Sequence, residues 1–338
     1  MRVETGLPYL SPQVETAAKR AEALGYDGVV SFETAHEPFL PLVLAAEHTQ
    51  RVGLRTGLAI SFPRSPMVVA NVAWDLQGYS GGRFQLGLGT QVKGHNERRF
   101  SVPWSPAAPR MREYVLALRA IWNTWATGAP LKFVGDHYSF TLMTPNFTPE
   151  RIANPSIPVY VSALGPAMAR VAGEVCDGLL LHPMCSYKYI TEIIIPAVEQ
   201  GARRAGRQLR DVELLWGGFT ATGDTDEELL AAKQGIARSI SFYGSTRTYA
   251  AALELHGWKD LNLQLHELSL AGRWNDMAGL VTDEMVETLA ETGTQEEVAH
   301  KIRRRYGGIC GSVMWSPRAE ADDARTRALL EILKDRAD

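Results

Sequence analysis

The sequence predicts one α/β domain folded as a (β/α)8 TIM barrel with insertions, and three observations carry that reading. Strand-like and helix-like runs alternate from the first residues, the strand-like runs number eight, and no GxGxxG fingerprint follows the first. A continuous βα count of eight closes a parallel sheet on itself, whereas a doubly wound sheet calls for fewer strands and a dinucleotide-binding turn. At 338 residues and 45% hydrophobic, the chain is long enough to bury such a core.

The first strand is read over residues 2–7 and the first amphipathic helix over 14–24, stopped by Gly25. A second strand (28–32) and helix (40–50) follow, then a strand over 54–60 that carries Gly57 inside an apolar run. Ser65-Pro66 opens the helix 67–79, and Ser80-Gly81-Gly82-Arg83 ends it. The fourth strand covers 83–87 and breaks into Gly87-Leu88-Gly89-Thr90-Gln91; a long helix occupies 110–127. Between 128 and 157 the rhythm pauses, where prolines and glycines among Leu131, Phe133, Tyr138 and Phe140 predict a hairpin and an irregular loop. Strand 158–162, helix 166–175, strand 178–182, helix 187–205 and strand 212–222 resume it. A helical tract over 226–305, with a second insertion near 243–292, precedes the last strand (312–315) and a closing helix (324–334).

Composition narrows the function. A net charge of -3 without runs of like charge gives no electrostatic footprint for nucleic acid. Cys176, Cys185 and Cys310 are odd in number and form no CxxC, so neither a disulfide framework nor a zinc site is expected. Met1 to Gly6 leads straight into a strand, and no apolar run approaches the roughly 18–20 residues that cross a bilayer. The expectation is a soluble cytoplasmic protein acting on a small molecule, without a nucleic-acid, membrane or metal partner.

Barrel enzymes build their sites at the strand C-termini, which makes five segments candidates. Glu33 and His36 place an acid and an imidazole after strand two, where either could exchange a proton or bind a ligand; a capped loop with solvated charges fits equally. Gly57 marks a bulge, a close ligand approach or tight packing. Thr90 and Gln91 follow a glycine-loosened strand end, and Ser162, Ala163 and Gly165 open a helix whose amides suit a phosphate as well as an ordinary cap. His182 ends strand six, facing the mouth or packed beneath a lid. Lys93, His95, Arg98 and Arg99 form a basic cluster suited to an anionic ligand tail or to a solvated helix face.

In order along the chain, residues 22–29, Thr56-Gly57, Arg64-Ser65-Pro66, residues 80–89, residues 172–178, Phe242 to Thr246 and Leu255 to Trp258 resemble the luciferase-like monooxygenase superfamily. Within it they resemble the branch of oxidoreductases that use the deazaflavin coenzyme F-420. The resemblance implies a (β/α)8 barrel, a tricyclic ring seated at the strand C-termini and a non-prolyl cis peptide at Gly57-Leu58 bulging against its back. It also implies a homodimer. Carried over by position, Glu33 and Thr34 stand where relatives place an acid and often a histidine, with His36 two residues later. Thr34, Gly57, Leu58, Thr90, Gln91, Ser162, Ala163 and Gly165 match cofactor-contacting positions. Val92 stands where a sugar-phosphate dehydrogenase relative has a catalytic glutamate. The implied reaction is hydride transfer between deazaflavin C5 and an organic substrate, with residues 128–157 and 243–247 as lid candidates. FMN is the alternative cofactor, for a monooxygenase or reductase on the same fold. A metal-dependent hydrolase using His36, His95 and His182, and a barrel that binds without turnover, are the remaining alternatives.

Overall fold

The first strand enters the parallel sheet at once, paired on both sides, because Val3 faces the layer shared with the helices while Glu4 faces the barrel interior. The computed structural model describes residues 1–10, 12–318 and 322–335. The alternation runs β1 (Arg2–Gly6), α1 (Gln13–Leu24), β2 (Gly28–Ser31), α2 (Leu40–His48), β3 (Gly53–Thr56), β4 (Ala59–Ile60), α3 (Pro66–Tyr79) and β5 (Phe84–Gly89). The short α4 (Lys93–Arg98) and long α5 (Ala107–Thr127) lead to the antiparallel hairpin β6 (Phe133–Val134) and β7 (Ser139–Phe140). Then come β8 (Val159–Ala163), α6 (Pro166–Val175), β9 (Gly178–Leu181), α7 (Tyr187–Tyr189), α8 (Ile195–Arg204) and β10 (Glu213–Trp216). After β11 (Phe219–Thr222) lie α9 (Asp226–Gly244), α10 (Ala250–Glu254), α11 (Lys259–Leu270), α12 (Trp274–Met277) and α13 (Asp283–Leu289). The chain closes with β12 (Ala290–Gly293), α14 (Gln295–Tyr306), β13 (Ser312–Met314) and α15 (Asp323–Lys334).

In space the sheet runs β3, β2, β1, β13, β10, β9, β8, β5, and β5 pairs back onto β3 and β4, so the sheet is a closed parallel barrel. β3 and β4 are two halves of one position, separated by the cis peptide Gly57-Leu58 anticipated from the resemblance. Three boundaries differ from the sequence reading. The fourth strand continues through Leu88 to Gly89, because both residues still pair with β4. The seventh breaks at Gly217-Gly218: β10 stays in the barrel, while β11 leaves it to pair in parallel with β12. β12 itself lies in a tract read as helical throughout. Its pairing partner lies about seventy positions earlier, so no local pattern betrays it.

Side-chain alternation sorts the barrel into two cores. Val3, Val29, Leu54, Leu86, Leu88, Val161, Leu179 and Val313 face outward into the layer shared with the helices. Leu58, Tyr160, Leu180, Leu215 and Met314 form a separate cluster inside the barrel. On the same inward face, Arg55 forms a fully buried ion pair with Glu4, its Nε donating to Glu4 Oε2 at 3.1 Å, and the guanidinium lies 5.7 Å from the Tyr160 ring centroid. The Ser80-to-Arg83 turn has a structural use. Gly81 and Gly82 take positive φ angles of 65° and 96°, and the Arg83 guanidinium then donates to the carbonyls of Val52, Ala46 and Thr49. That ties the end of α2 to the start of β5. Among the described residues no helix is long and apolar enough to cross a membrane, and the three cysteines are buried thiols.

Removing one partner of a buried ion pair strands the other charge. Arg55→Met is therefore expected to cost about 3–5 kcal/mol of unfolding free energy in urea titrations. Adding Glu4→Leu to that variant is expected to recover most of the loss.

Candidate functional site

The β3–β5 seam shapes the barrel mouth. Where β3 stops, the Thr56 hydroxyl takes over the ladder: Oγ1 donates to the Gly87 carbonyl at 2.7 Å and accepts from the Gly87 N–H at 2.9 Å. The strands approach so closely here that a Cβ on Gly87 would lie 1.9 Å from the Thr56 carbonyl oxygen. Beyond the seam, the inward positions are nearly bare. A Cβ on Gly57 would meet Val30 Cγ1 at 2.3 Å, and one on Gly89 would meet Leu58 Cδ2 at 2.5 Å. Gly6 opens beside Phe32 on the same rim. The floor of the mouth is thus low and closely packed: Val30 and Phe32 fill the space beside Gly57, and Leu58 packs down against Gly89. A flat ring suits a floor whose side chains lie against glycine backbone rather than standing up from it.

Glu33 braces this floor from behind. Its Oε2 accepts from the Ile60 N–H at 2.7 Å, and both carboxylate oxygens receive Arg64 Nη1, at 3.0 and 2.7 Å. The same Nη1 donates to the Ile60 carbonyl at 2.8 Å, and Tyr114 Oη donates to the Arg64 carbonyl at 3.0 Å. Arg64 Nη2 also lies 3.5 Å from Glu37, whose Oε2 receives the Phe39 and Leu40 N–H groups at the start of α2. The Glu33 carboxylate therefore faces β4 and Arg64. Thr34 and His36 are exposed: the Thr34 hydroxyl shares a 3.2 Å hydrogen bond with Tyr9, and the His36 ring lies 4.9 Å from the Tyr9 ring.

Thr90 and Gln91 sit on a clamped loop. Gln91 adopts φ 55°, and the buried Asn96 side chain donates through Nδ2 to the carbonyls of Thr90 and Val92 at 2.9 and 3.2 Å. Of the basic cluster, Arg99 donates to the Thr34 carbonyl at 2.8 Å and packs on Phe100, tying this loop to the one after β2. Lys93 stays exposed beside Glu97. On β8, Ser162 lies in step with the inward Tyr160, toward the mouth, whereas Ala163 buries its methyl in the outer core and offers only backbone. Gly165 caps α6 without a side-chain bond, in space where an added Cβ would touch nothing within 4 Å. The first-turn N–H groups of α6 have no intrahelical acceptor, which suits an anion.

His182 completes the rim, one position past β9 and in step with the inward Leu180. Its Nδ1 accepts from the Met184 N–H at 3.2 Å, which fixes the neutral tautomer with the proton on Nε2. The rings of Tyr243 and Tyr249 stand edge-on to it, each with centroids 4.9 Å away. Burial pushes this imidazole down to about 4. Burial also raises Tyr249 to about 12 and shifts Tyr243 upward, so all three rings are neutral near pH 7. Residues 243–247 thus contribute a roof to the mouth through Tyr243. The 128–157 hairpin instead docks on α5, where Arg110 donates to Tyr138 Oη at 2.9 Å and Glu113 accepts the N–H groups of Asp136, His137 and Tyr138. Among the described residues His36, His95 and His182 join no group of three or more metal-ligating side chains. Sequence reasoning missed the bracing by Arg64, the clamp by Asn96 and the Tyr243–His182–Tyr249 stack; a buried Asn just after a strand-end loop was the one local signal.

A family model described as luciferase-like monooxygenase matches residues 6–309. An uncharacterized protein of Mycobacterium tuberculosis is 46% identical over 314 residues, 93% of this chain and 92% of its own. The 5,10-methylenetetrahydromethanopterin reductase of Archaeoglobus fulgidus is 27% identical over 315 residues, 90% of each chain. The solved coenzyme F420-dependent tetrahydromethanopterin reductase of Methanopyrus kandleri superposes with a TM-score of 0.76 at 21% identity, covering 98% of this chain and 96% of that one.

Two outcomes follow from the packing. Gly57→Ala forces Val30 aside and is expected to cost about 1–3 kcal/mol in urea unfolding, with Val30→Ala partly restoring stability in that background. His182 has a folded pKa near 4, below its unfolded value near 6.5, so the unfolded state binds more protons between them. Its contribution is complete above about pH 6.5 and is lost as pH falls toward 4. Melting curves between pH 7 and 4.5 are expected to fall less steeply for His182→Asn than for the unmodified protein.

Proposed function

Because the chain belongs to the luciferase-like monooxygenase family of oxidoreductases, we propose that it is a coenzyme F-420-dependent oxidoreductase. It transfers a hydride between the deazaflavin at the barrel mouth and an organic substrate lying over the exposed face of the ring. The observation that carries the reading is the bulge between β3 and β4 at the barrel mouth, where Leu58 faces the barrel interior and packs down on Gly89 while Val30 and Phe32 pack beside Gly57. Relatives named as F420-dependent or methylenetetrahydromethanopterin reductases support the same cofactor. When bound, the deazaflavin supplies two-electron hydride chemistry at its C5.

The chain's own residues supply position and electrostatics. Gly57 and Leu58 would support the ring, and the Glu33–Arg64 pair keeps the following strand segment in register with β5. We assign Glu33 to that positioning task, since its oxygens face Ile60 and Arg64 rather than the mouth. His36, exposed on the rim, is the group placed to exchange a proton with solvent or substrate. Thr34, Thr90 and Gln91 edge the site, with Gln91 held in its left-handed conformation by the Asn96 clamp. The turn from Ser162 through Gly165, whose α6 N–H groups lack intrahelical acceptors, would hold the cofactor phosphate, and Lys93 with Arg98 would favour an anionic tail.

The decisive measurement is fluorescence titration of the purified protein with oxidised F-420 and, separately, with FMN. Tight F-420 binding with weak FMN binding is the expected result. Preference for FMN would move the chain to flavin chemistry on the same fold, and binding of neither would overturn the site. Gly89→Leu, which fills the floor, is expected to weaken F-420 binding at least about tenfold, the effect of roughly 1.4 kcal/mol.

A further inference from the structure

We propose that His182 is a substrate-binding residue whose Nε2–H donates a hydrogen bond to an acceptor oxygen on an uncharged substrate, with Tyr243, Tyr249 and Phe219 as the walls of that subsite. The proposal rests on the functional reading above and names the substrate class it leaves open.

Three observations place the donor. The Met184 N–H occupies Nδ1, so the ring proton resides on Nε2. Among the described residues Nε2 has no hydrogen-bond partner, yet it is not one of the enclosed, unpartnered polar atoms, so it keeps contact with the space over the mouth. Tyr243 and Tyr249, both edge-on, fix the plane of the ring and therefore the direction of its N–H. A donor oriented this way by its neighbours loses little entropy on binding.

The walls set the ligand chemistry. Phe219 lies 6.2 Å from Tyr243, centroid to centroid, and extends the aromatic surface away from the floor. The nearby Cys185 is a buried thiol pushed up to about 12, and its N–H is taken by the His182 carbonyl. No ionised side chain enters this set, so a charged substrate group would be desolvated there without a counter-charge. An uncharged molecule with an apolar body and one acceptor oxygen matches one donor between aromatic faces. The basic residues Lys93 and Arg98 follow a different strand, β5, which separates the anionic demand of the cofactor from the neutral demand of the substrate.

The test uses protein labelled with 15N-histidine, the His182 resonances being assigned from the spectrum of His182→Asn. Cyclohexanone is titrated into the protein with and without F-420, and methylenecyclohexane, which has the same shape but no acceptor oxygen, is the control. A saturable downfield shift of the His182 Nε2–H with the ketone alone supports the proposal. The ketone should also bind about three- to tenfold more weakly to His182→Phe, the scale of one net hydrogen bond. Should His182→Phe fail to fold, Tyr243→Ala, which frees the ring, is expected to broaden or shrink the same shift. Equal responses to both probes, or none with or without F-420, overturn the proposal. F-420 binding is read separately by fluorescence, so loss of the subsite and loss of the cofactor reading are distinguishable.

Discussion

The seam between β3 and β5 is the constraint on which the rest of the molecule depends. A parallel barrel must close, and here it closes where one strand is interrupted. The Thr56 hydroxyl substitutes for the missing ladder by serving both the donor and the acceptor of Gly87. This demands a glycine at 87, because any side chain would strike the Thr56 carbonyl. Once the strands are drawn together at that point, Gly57 and Gly89 follow, since Val30 and Leu58 already fill the space their side chains would need. The glycine-lined, closely packed floor of the mouth is thus a consequence of how the sheet closes.

Electrostatic groups are layered along the barrel axis. The Glu4–Arg55 pair is buried inside the barrel, and the neutral Tyr160, Leu180, Leu215, Met314 and Leu58 fill the interior beside it. At the mouth, the ion pair of Glu33 with Arg64 faces back toward β4. The histidine that does face inward is neutral, because burial depresses its basicity. Such an arrangement holds its charges where they stabilise backbone.

Much of the fold was legible because its signals are local. Apolar runs spaced by amphipathic helices, the glycine turn before Arg83 and the glycines at strand ends each sit within a few residues of what they determine. What escaped was non-local. Glu33 and Arg64 are thirty-one positions apart, and nothing around either says that they meet. Tyr243 reaches His182 from across two intervening strands. The seventh strand read as continuous because Val212 to Thr222 is rich in strand formers; the Gly217-Gly218 pair that breaks it resembles any strand-end glycine. In the candidate site, local sequence does not show which way a strand-end residue points: alternation turns Ala163 outward, and Glu33 faces the next strand.

The departure of β11 from the barrel has an evolutionary reading. Because β11 and β12 pair in parallel, with Phe219 beside Ala290 and Thr222 beside Gly293, the whole segment between them leaves the body and returns at neighbouring points. Its helices carry Tyr243 and Tyr249 over the mouth, while barrel closure depends on residues outside it. Changes among the surface positions between 223 and 289 can therefore be tried by descent while Ile240, Leu253, Leu265 and Val286 keep the segment packed on the common core. A family built this way can diversify the molecules it acts on while inheriting one unchanged redox platform.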